Sequence, residues 1–360
     1  MAKFPKLQIS SGLSKQIMDT KLPDTLGFGL VPVPVMIMAE FSDDQWHEPE
    51  LIQRQVIELD PSAKVLHYGQ AIFEGMKAYK REGGKPVLFR PLENFKRFNA
   101  SAQRMAMPEV PEDIFIESID ALVGSLESMI PGQTGESLYL RPFMIATQPG
   151  LGLAPSAEYL FMVIASPSGA YFSADKVSVL VERSDCRAAP GGTGSSKVAG
   201  NYGGSIKSAI SARKLGYHQT LWLDARSRKH IEELSGMNFF ALVDGELYTP
   251  ELNDSILPGV TRGSLLTLAS NMGIKTHEVK LDVDELIGHI KAGRCTELFA
   301  CGTAAVITPI SELGETDGTR YEVTHAFGPV TQKLRETLTN IQEKGAEAPE
   351  GWIYEVSRNI

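Results

Sequence analysis

Cysteine is scarce in this chain of 360 residues. The three present, Cys186, Cys295 and Cys301, are odd in number and show no Cys-x-x-Cys spacing, which argues against a disulfide framework and suits a reducing cytoplasm. Long apolar runs are missing too. The longest, FGLVPVPVMIM from Phe28, is short and broken by two prolines, so no membrane span is expected. The opening MAKFPKLQIS lacks the apolar centre of a signal peptide. Positive charge is in deficit, with 35 Lys and Arg against 44 Asp and Glu and a net charge of -9, leaving no electrostatic footprint for nucleic acid or an anionic membrane. Small molecules are therefore the expected partners. The seven histidines are scattered, and His277-Glu278 is not followed by the second histidine of a His-Glu-x-x-His motif, so no metal site is expected.

What is present reads as a mixed α/β protein. The length exceeds what one core usually organises, and the small residues, Pro and Gly of SPSGAYFSADK mark a junction. This predicts an amino-terminal α/β domain over 1–168, a linker over 169–176 and a carboxy-terminal domain over 177–360. In the first half, RFNASAQRMA and IFIESIDALVGSLESMI have helical spacing, while SLYLRPFMIAT and EYLFMVIAS read as strands. In the second, KVSVLVER and TLWLDA are strand-like. Between them lies a helix in which Ile206, Ala209, Ile210 and Leu215 share a face and which Gly216 stops. NFFALVDGELYTP predicts a hairpin turning at Asp244-Gly245, LPGVTRGSLLTLASNMG a turn opening a helix, and GRCTELFACGTAAVITPI a strand, turn and strand. Strands with hairpins and intervening helices describe an α/β or α+β pair of domains, not a doubly wound sheet.

The stretch GGTGSSKVAGNYGG around Lys197 poses the functional question. A Walker loop needs its Lys and Ser/Thr directly after the last glycine, and a dinucleotide loop needs a third glycine where Lys197 stands, so both fail. A solvated loop lysine is the plain alternative. Small residues on both sides instead let backbone approach a flat ligand, and a lysine enclosed there could be deprotonated and form a Schiff base.

In order and spacing, GGTGSSKVAGNYGGS, QTLWLDA, EELSGMNFF, ILPGVTRGSLL and ELFACGTAAVITPI resemble the fold type IV pyridoxal-phosphate aminotransferases, and most closely the branched-chain amino-acid aminotransferases. LHYGQAIFEGMKAYKR, FRPLENFKRFNASAQRM and SLYLRPFMIATQPGLG continue the likeness from about residue 30. The resemblance implies a smaller amino-terminal domain, a larger carboxy-terminal domain with a pseudo-barrel of mixed strands, and pyridoxal 5'-phosphate held in the cleft between them. It implies transfer of the amino group of leucine, isoleucine or valine to 2-oxoglutarate. Lys197 would carry the cofactor and shuttle the proton. Glu233 would face the pyridine nitrogen, chosen over its neighbour Glu232 by its distance to Met237-Asn238, with Glu232 expected to face solvent. Val260, Thr261, Arg97 and Thr303 would hold the phosphate, Arg104 being a surface alternative to Arg97. Tyr202 would meet the phenolic oxygen. Thr303 and Ala304 would take the substrate carboxylate, Tyr68, Phe73 and Tyr171 would line an apolar pocket, and Tyr139 and Arg141 would let that pocket accept glutamate. The loop QPGLGLAPS around Gly152 and Leu153 matches one that reaches a neighbouring subunit, implying a homodimer. Two departures stand out: Ala305 and Thr308 replace a Cys-x-x-Cys of animal members, and Gly236 replaces a threonine near the substrate. A D-amino-acid aminotransferase or an aminodeoxychorismate lyase is the nearest rival, and LHYGQAIFEGMKAY and ILPGVTRGSLL fit the branched-chain group better.

Overall fold

The computed structural model describes residues 3–169 and 176–357. The expected linker falls largely outside them, as does Tyr171. The chain forms two compact units, one of Met1–Tyr171, Lys197–Ala199 and Asn340–Ile360, the other of Phe172–Ser196 and Gly200–Thr339. The units are not two continuous halves of the sequence. The carboxy-terminal strand Ile353–Glu355 pairs with Val87–Phe89, so the end of the chain returns to the first unit instead of continuing the second.

The first unit is an antiparallel sheet running Ile353–Glu355, Val87–Phe89, Met76–Tyr79, Ser137–Ala146, Tyr159–Ser168 and Val35–Ser42. Strand Ser137–Ala146 alternates strictly from Leu138 onward. Leu138, Leu140, Met144 and Ala146 enter the core, while Tyr139, Arg141 and Phe143 lie half-buried on the opposite face. Helices Pro91–Arg104 and Glu112–Ser125 supply the apolar cover. Phe98, Phe115 and Phe161 meet at its centre with ring centroids 5.4 to 5.7 Å apart. Packing of this kind places helix Pro91–Arg104, and Arg97 on it, at a set height over the sheet.

In the second unit Val177–Glu182, Val306–Gly314, Cys295–Gly302, Met237–Val243, Ile231–Leu234 and Gln219–Leu223 pair in sequence and the last returns to the first, closing a six-stranded barrel. Val177–Glu182 and Gln219–Leu223 run parallel, which requires a crossover, and helix Ile206–Lys214 lies within it. The Asp244-Gly245 hairpin is present with φ of 50° and 79°, the left-handed pair that a tight two-residue turn demands. One face is corrected. Ile206 and Ile210 are exposed and the buried positions of their helix are Ser208 and Ala212, because a short crossover helix packs on the sheet through its small residues.

Candidate active site

Within the first unit the sheet face opposite the core gathers several candidate residues. Strands Ala71–Phe73 and Met76–Tyr79 both pair with Ser137–Ala146, and between them Glu74 N–H donates to the Pro142 carbonyl at 2.7 Å. This puts Phe73 beside Arg141, whose guanidinium lies 4.7 Å from the ring centroid. Arg141 also donates from Nη2 to the Tyr139 hydroxyl at 2.8 Å, and its buried Nε has no hydrogen-bond partner among the described residues.

Lys197 sits against the same ring, its Nζ 5.0 Å from the Phe73 centroid. Its backbone is tied at both ends: its N–H donates to Ser101 Oγ at 2.9 Å, and its carbonyl accepts from Phe73 N–H at 3.1 Å. Ser101 in turn donates to the Arg97 carbonyl at 2.9 Å. Arg97 is buried and grips Glu74 through Nε at 2.7 Å and Nη2 at 2.8 Å. The structure thus assembles Lys197, Arg97, Phe73, Tyr139 and Arg141 in one unit. Tyr68 differs. Among its described contacts its ring tilts on His67 and its hydroxyl donates to the Leu151 carbonyl, in the exposed loop that also carries Leu153.

Within the second unit Glu233 lies on a barrel strand opposite Asn238, which pairs across the next strand with Cys301. Its Oε1 is 2.9 Å from Arg187 Nη2, and its Oε2 accepts from Asn238 Nδ2 at 3.0 Å and from Leu257 N–H at 3.2 Å. Asn238 also donates to the Leu257 carbonyl, so the carboxylate is linked directly to the segment leading into helix Val260–Asn271. That helix opens on Gly259. A Cβ at Gly259 would stand 2.0 Å from Asn238 Oδ1, so only glycine permits this approach. Thr303 and Ala304 occupy the turn between Cys295–Gly302 and Val306–Gly314. The missing side chain at Gly236 would meet Tyr202 at 4.0 Å, an ordinary contact, which places the departure from the family pattern beside that ring.

The glycine-rich loop is held, not solvated at random. Ser195 N–H donates to the Asp254 carbonyl at 2.9 Å, Arg187 donates to the carbonyls of Gly194 and Ser255, and Asn201 Nδ2 donates to those of Thr193 and Ser196. Gly194 is required by close approach, since a Cβ there would lie 2.6 Å from the Ser255 backbone.

One expectation fails: Glu232 does not face solvent. It is buried like Glu233, because the strand belongs to a closed barrel, and Arg187 and Ser255 act on its carboxyl. Burial pushes its carboxyl up, with the Arg187 charge and the Ser255 hydrogen bond opposing. Four contributors escaped the sequence reading: Glu74, Ser101, Arg187 and Asn238. Glu74 carried a usable signal, a lone carboxylate inside the otherwise apolar strand run AIFEGM, where charge implies a buried partner. Arg187 carried none, since nothing in the order of residues ties it to a carboxylate 46 positions on.

Comparison with known proteins identifies the family. A family profile described as amino-transferase class IV matches residues 71–313. A branched-chain-amino-acid aminotransferase of Mycolicibacterium smegmatis is 48% identical over 335 residues, covering 91% of each chain. A solved branched-chain amino acid aminotransferase from Escherichia coli is 28% identical, covers 90% of this chain and 99% of its own, and superposes with a TM-score of 0.73. Another, from Thermobaculum terrenum and solved in its PLP form, shares the fold: it is 23% identical, covers 91% of this chain and 99% of its own, and gives a TM-score of 0.73. The chain belongs to the class IV aminotransferases, in the group formed by the branched-chain-amino-acid aminotransferases.

Proposed function

We propose that this enzyme transfers the amino group of leucine, isoleucine or valine to 2-oxoglutarate, giving branched 2-oxo acids and L-glutamate, with pyridoxal 5'-phosphate as cofactor. The observation that carries the reading is the double backbone tether of Lys197, which holds one amine at the Phe73 ring beside the buried Arg97–Glu74 pair.

The residues present fit that cofactor. Helix Val260–Asn271 opens on an N-cap without a side-chain cap, so the amides of Val260 and Thr261 suit an anionic group, as does the helix dipole. Arg97 supplies a buried guanidinium for the same phosphate, and Thr303 a hydroxyl. When bound, the cofactor supplies an aldehyde for the amino group and a ring that accepts the electron pair left at Cα. Lys197 Nζ takes and returns the Cα proton. Glu233 is assigned to the ring nitrogen, its geometry fixed by Arg187, Asn238 and Leu257. Tyr202 is assigned to the phenolic oxygen, and Thr303-Ala304 to the substrate carboxylate.

Phe73, Tyr68, Tyr139 and Tyr171 are assigned to the substrate side chain, and Arg141 to the distal carboxylate of glutamate. The unpartnered buried Nε of Arg141 supports that last assignment, since a buried donor without an acceptor gains from a ligand that brings one. The enzyme is further proposed to be a cytoplasmic homodimer. Support comes from Leu151 and Leu153, 78% and 86% exposed on one short loop, a surface that a second subunit would cover. Among the described residues no helix is long and apolar enough to cross a membrane. The test is a visible absorbance spectrum with an amino-donor panel against 2-oxoglutarate. A colourless protein inactive with branched donors refutes the proposal.

A further inference from the structure

Glu74 stands at the break between strands Ala71–Phe73 and Met76–Tyr79 and is completely buried. A carboxylate removed from water is costly unless it is paired and its lone pairs are filled. Here the carboxylate is paired and accepts four described hydrogen bonds. Besides the two bonds from Arg97, Asn94 Nδ2 donates to Oε2 at 2.8 Å and Gly75 N–H at 3.1 Å. Burial alone opposes ionisation of Glu74. The charge and hydrogen bonds of Arg97, the charge of Lys197 and the Asn94 amide outweigh it and hold the carboxyl below its usual range.

The contact with Arg97 runs along one edge of a planar group, through Nε and one terminal nitrogen, and so fixes the plane of the whole guanidinium. The neighbouring residue, Phe73, bonds the Lys197 carbonyl through its N–H. A single tripeptide, Phe73–Gly75, therefore sets both the arginine and the lysine. On charge alone, a carboxylate touching Arg97 weakens its attraction for a phosphate, so what Glu74 contributes there is orientation.

We infer that Glu74 is a positioning residue of the transamination reaction, holding Arg97 in the one plane from which it meets the cofactor phosphate. This rests on the assignment of Arg97 to that phosphate. The test titrates the metabolite-free proteins with pyridoxal 5'-phosphate and with pyridoxal, which lacks the phosphate, comparing wild type, Glu74→Gln, Arg97→Lys and the double variant. Glutamine keeps the size of Glu74 but sets an amide N–H against an arginine N–H. Each single variant is expected to lose about tenfold of the preference for the phosphorylated ligand, the scale of one charge-assisted hydrogen bond, while pyridoxal affinity changes by less than about twofold. The double variant falls no further than the weaker single, as residues acting through one contact do. Glu74→Asp, which keeps the charge and shortens the arm, is expected to lose preference in the same direction and serves where Glu74→Gln does not fold. An unchanged or increased preference in the Glu74 variants overturns the inference. So do losses that multiply in the double variant, or equal losses for both ligands. If Arg97→Lys itself keeps the preference, the assignment of Arg97 is what fails.

Discussion

Ser101→Ala removes a side chain that anchors the backbone of Lys197. The hydroxyl is almost wholly buried, accepts the Lys197 N–H at 2.9 Å and donates to the Arg97 carbonyl at 2.9 Å. Its loss costs little at Arg97, because back-bonding of a serine to a helix carbonyl contributes little to stability. At Lys197 it leaves an amide without its acceptor, a penalty of about 1–3 kcal/mol, nearer the lower figure because Lys197 is only half-buried and water can reach it. For a folding unit of roughly 150–250 residues each kcal/mol moves Tm by about 2–4 °C, so a fall of a few degrees is expected. The effect on chemistry is larger. A reacting group displaced by about 1 Å can lose on the order of a hundredfold in rate, and a lysine freed at its N–H shifts by a fraction of that. The half-reaction with leucine, followed by stopped-flow absorbance under single-turnover conditions, should slow about tenfold, with cofactor affinity little changed. A wild-type half-reaction rate in a folded Ser101→Ala protein would show that the tether does not position the amine.

Four further outcomes are expected. Borohydride reduction of the loaded enzyme should fix the cofactor on Lys197, and recovery on Lys207 or Lys214 instead would remove that assignment; Lys197→Ala should bind the cofactor phosphate yet lose transamination. Arg141→Met should lower kcat/KM for glutamate and 2-oxoglutarate by about tenfold or more, the scale of a lost charged hydrogen bond, and change the leucine half-reaction much less; equal losses would mean a structural role. Glu233→Gln should leave the cofactor bound and slow turnover, whereas Glu232→Gln should be mild in activity, and steady-state kinetics showing the reverse would exchange the two. Lys77 is buried, and burial pushes its amine down to about 8 from the ordinary 10.5, with the Glu343 charge opposing. The unfolded chain therefore binds the extra proton between those values, so this group makes stability rise with pH across that window. Lys77→Met should flatten the rise in urea unfolding between about pH 8 and 10.5, and an unaltered slope counts against the argument.

Local features of this protein were legible in the order of its residues, because their causes act within a few positions. SLYLRPFMIAT announced a strand, and the Asp244-Gly245 pair announced a hairpin whose turn needs positive φ. The glycine-flanked Lys197 stood out as a place where backbone could approach a flat ligand; at Gly194 the close neighbour in the structure is the Ser255 backbone. Tertiary structure alone decided the rest. Glu74 and Arg97 are 23 residues apart and Arg187 and Glu233 are 46 apart, and buried ion pairs form only where strands and helices bring desolvated charges together. Closure of the barrel buried Glu232 along with Glu233, which no reading of the single strand could distinguish from a strand with one wet face. The carboxy-terminal strand joined the first unit, and Ile206 and Ile210 stayed exposed, because burial depends on which surfaces meet and periodicity states only which residues share a face.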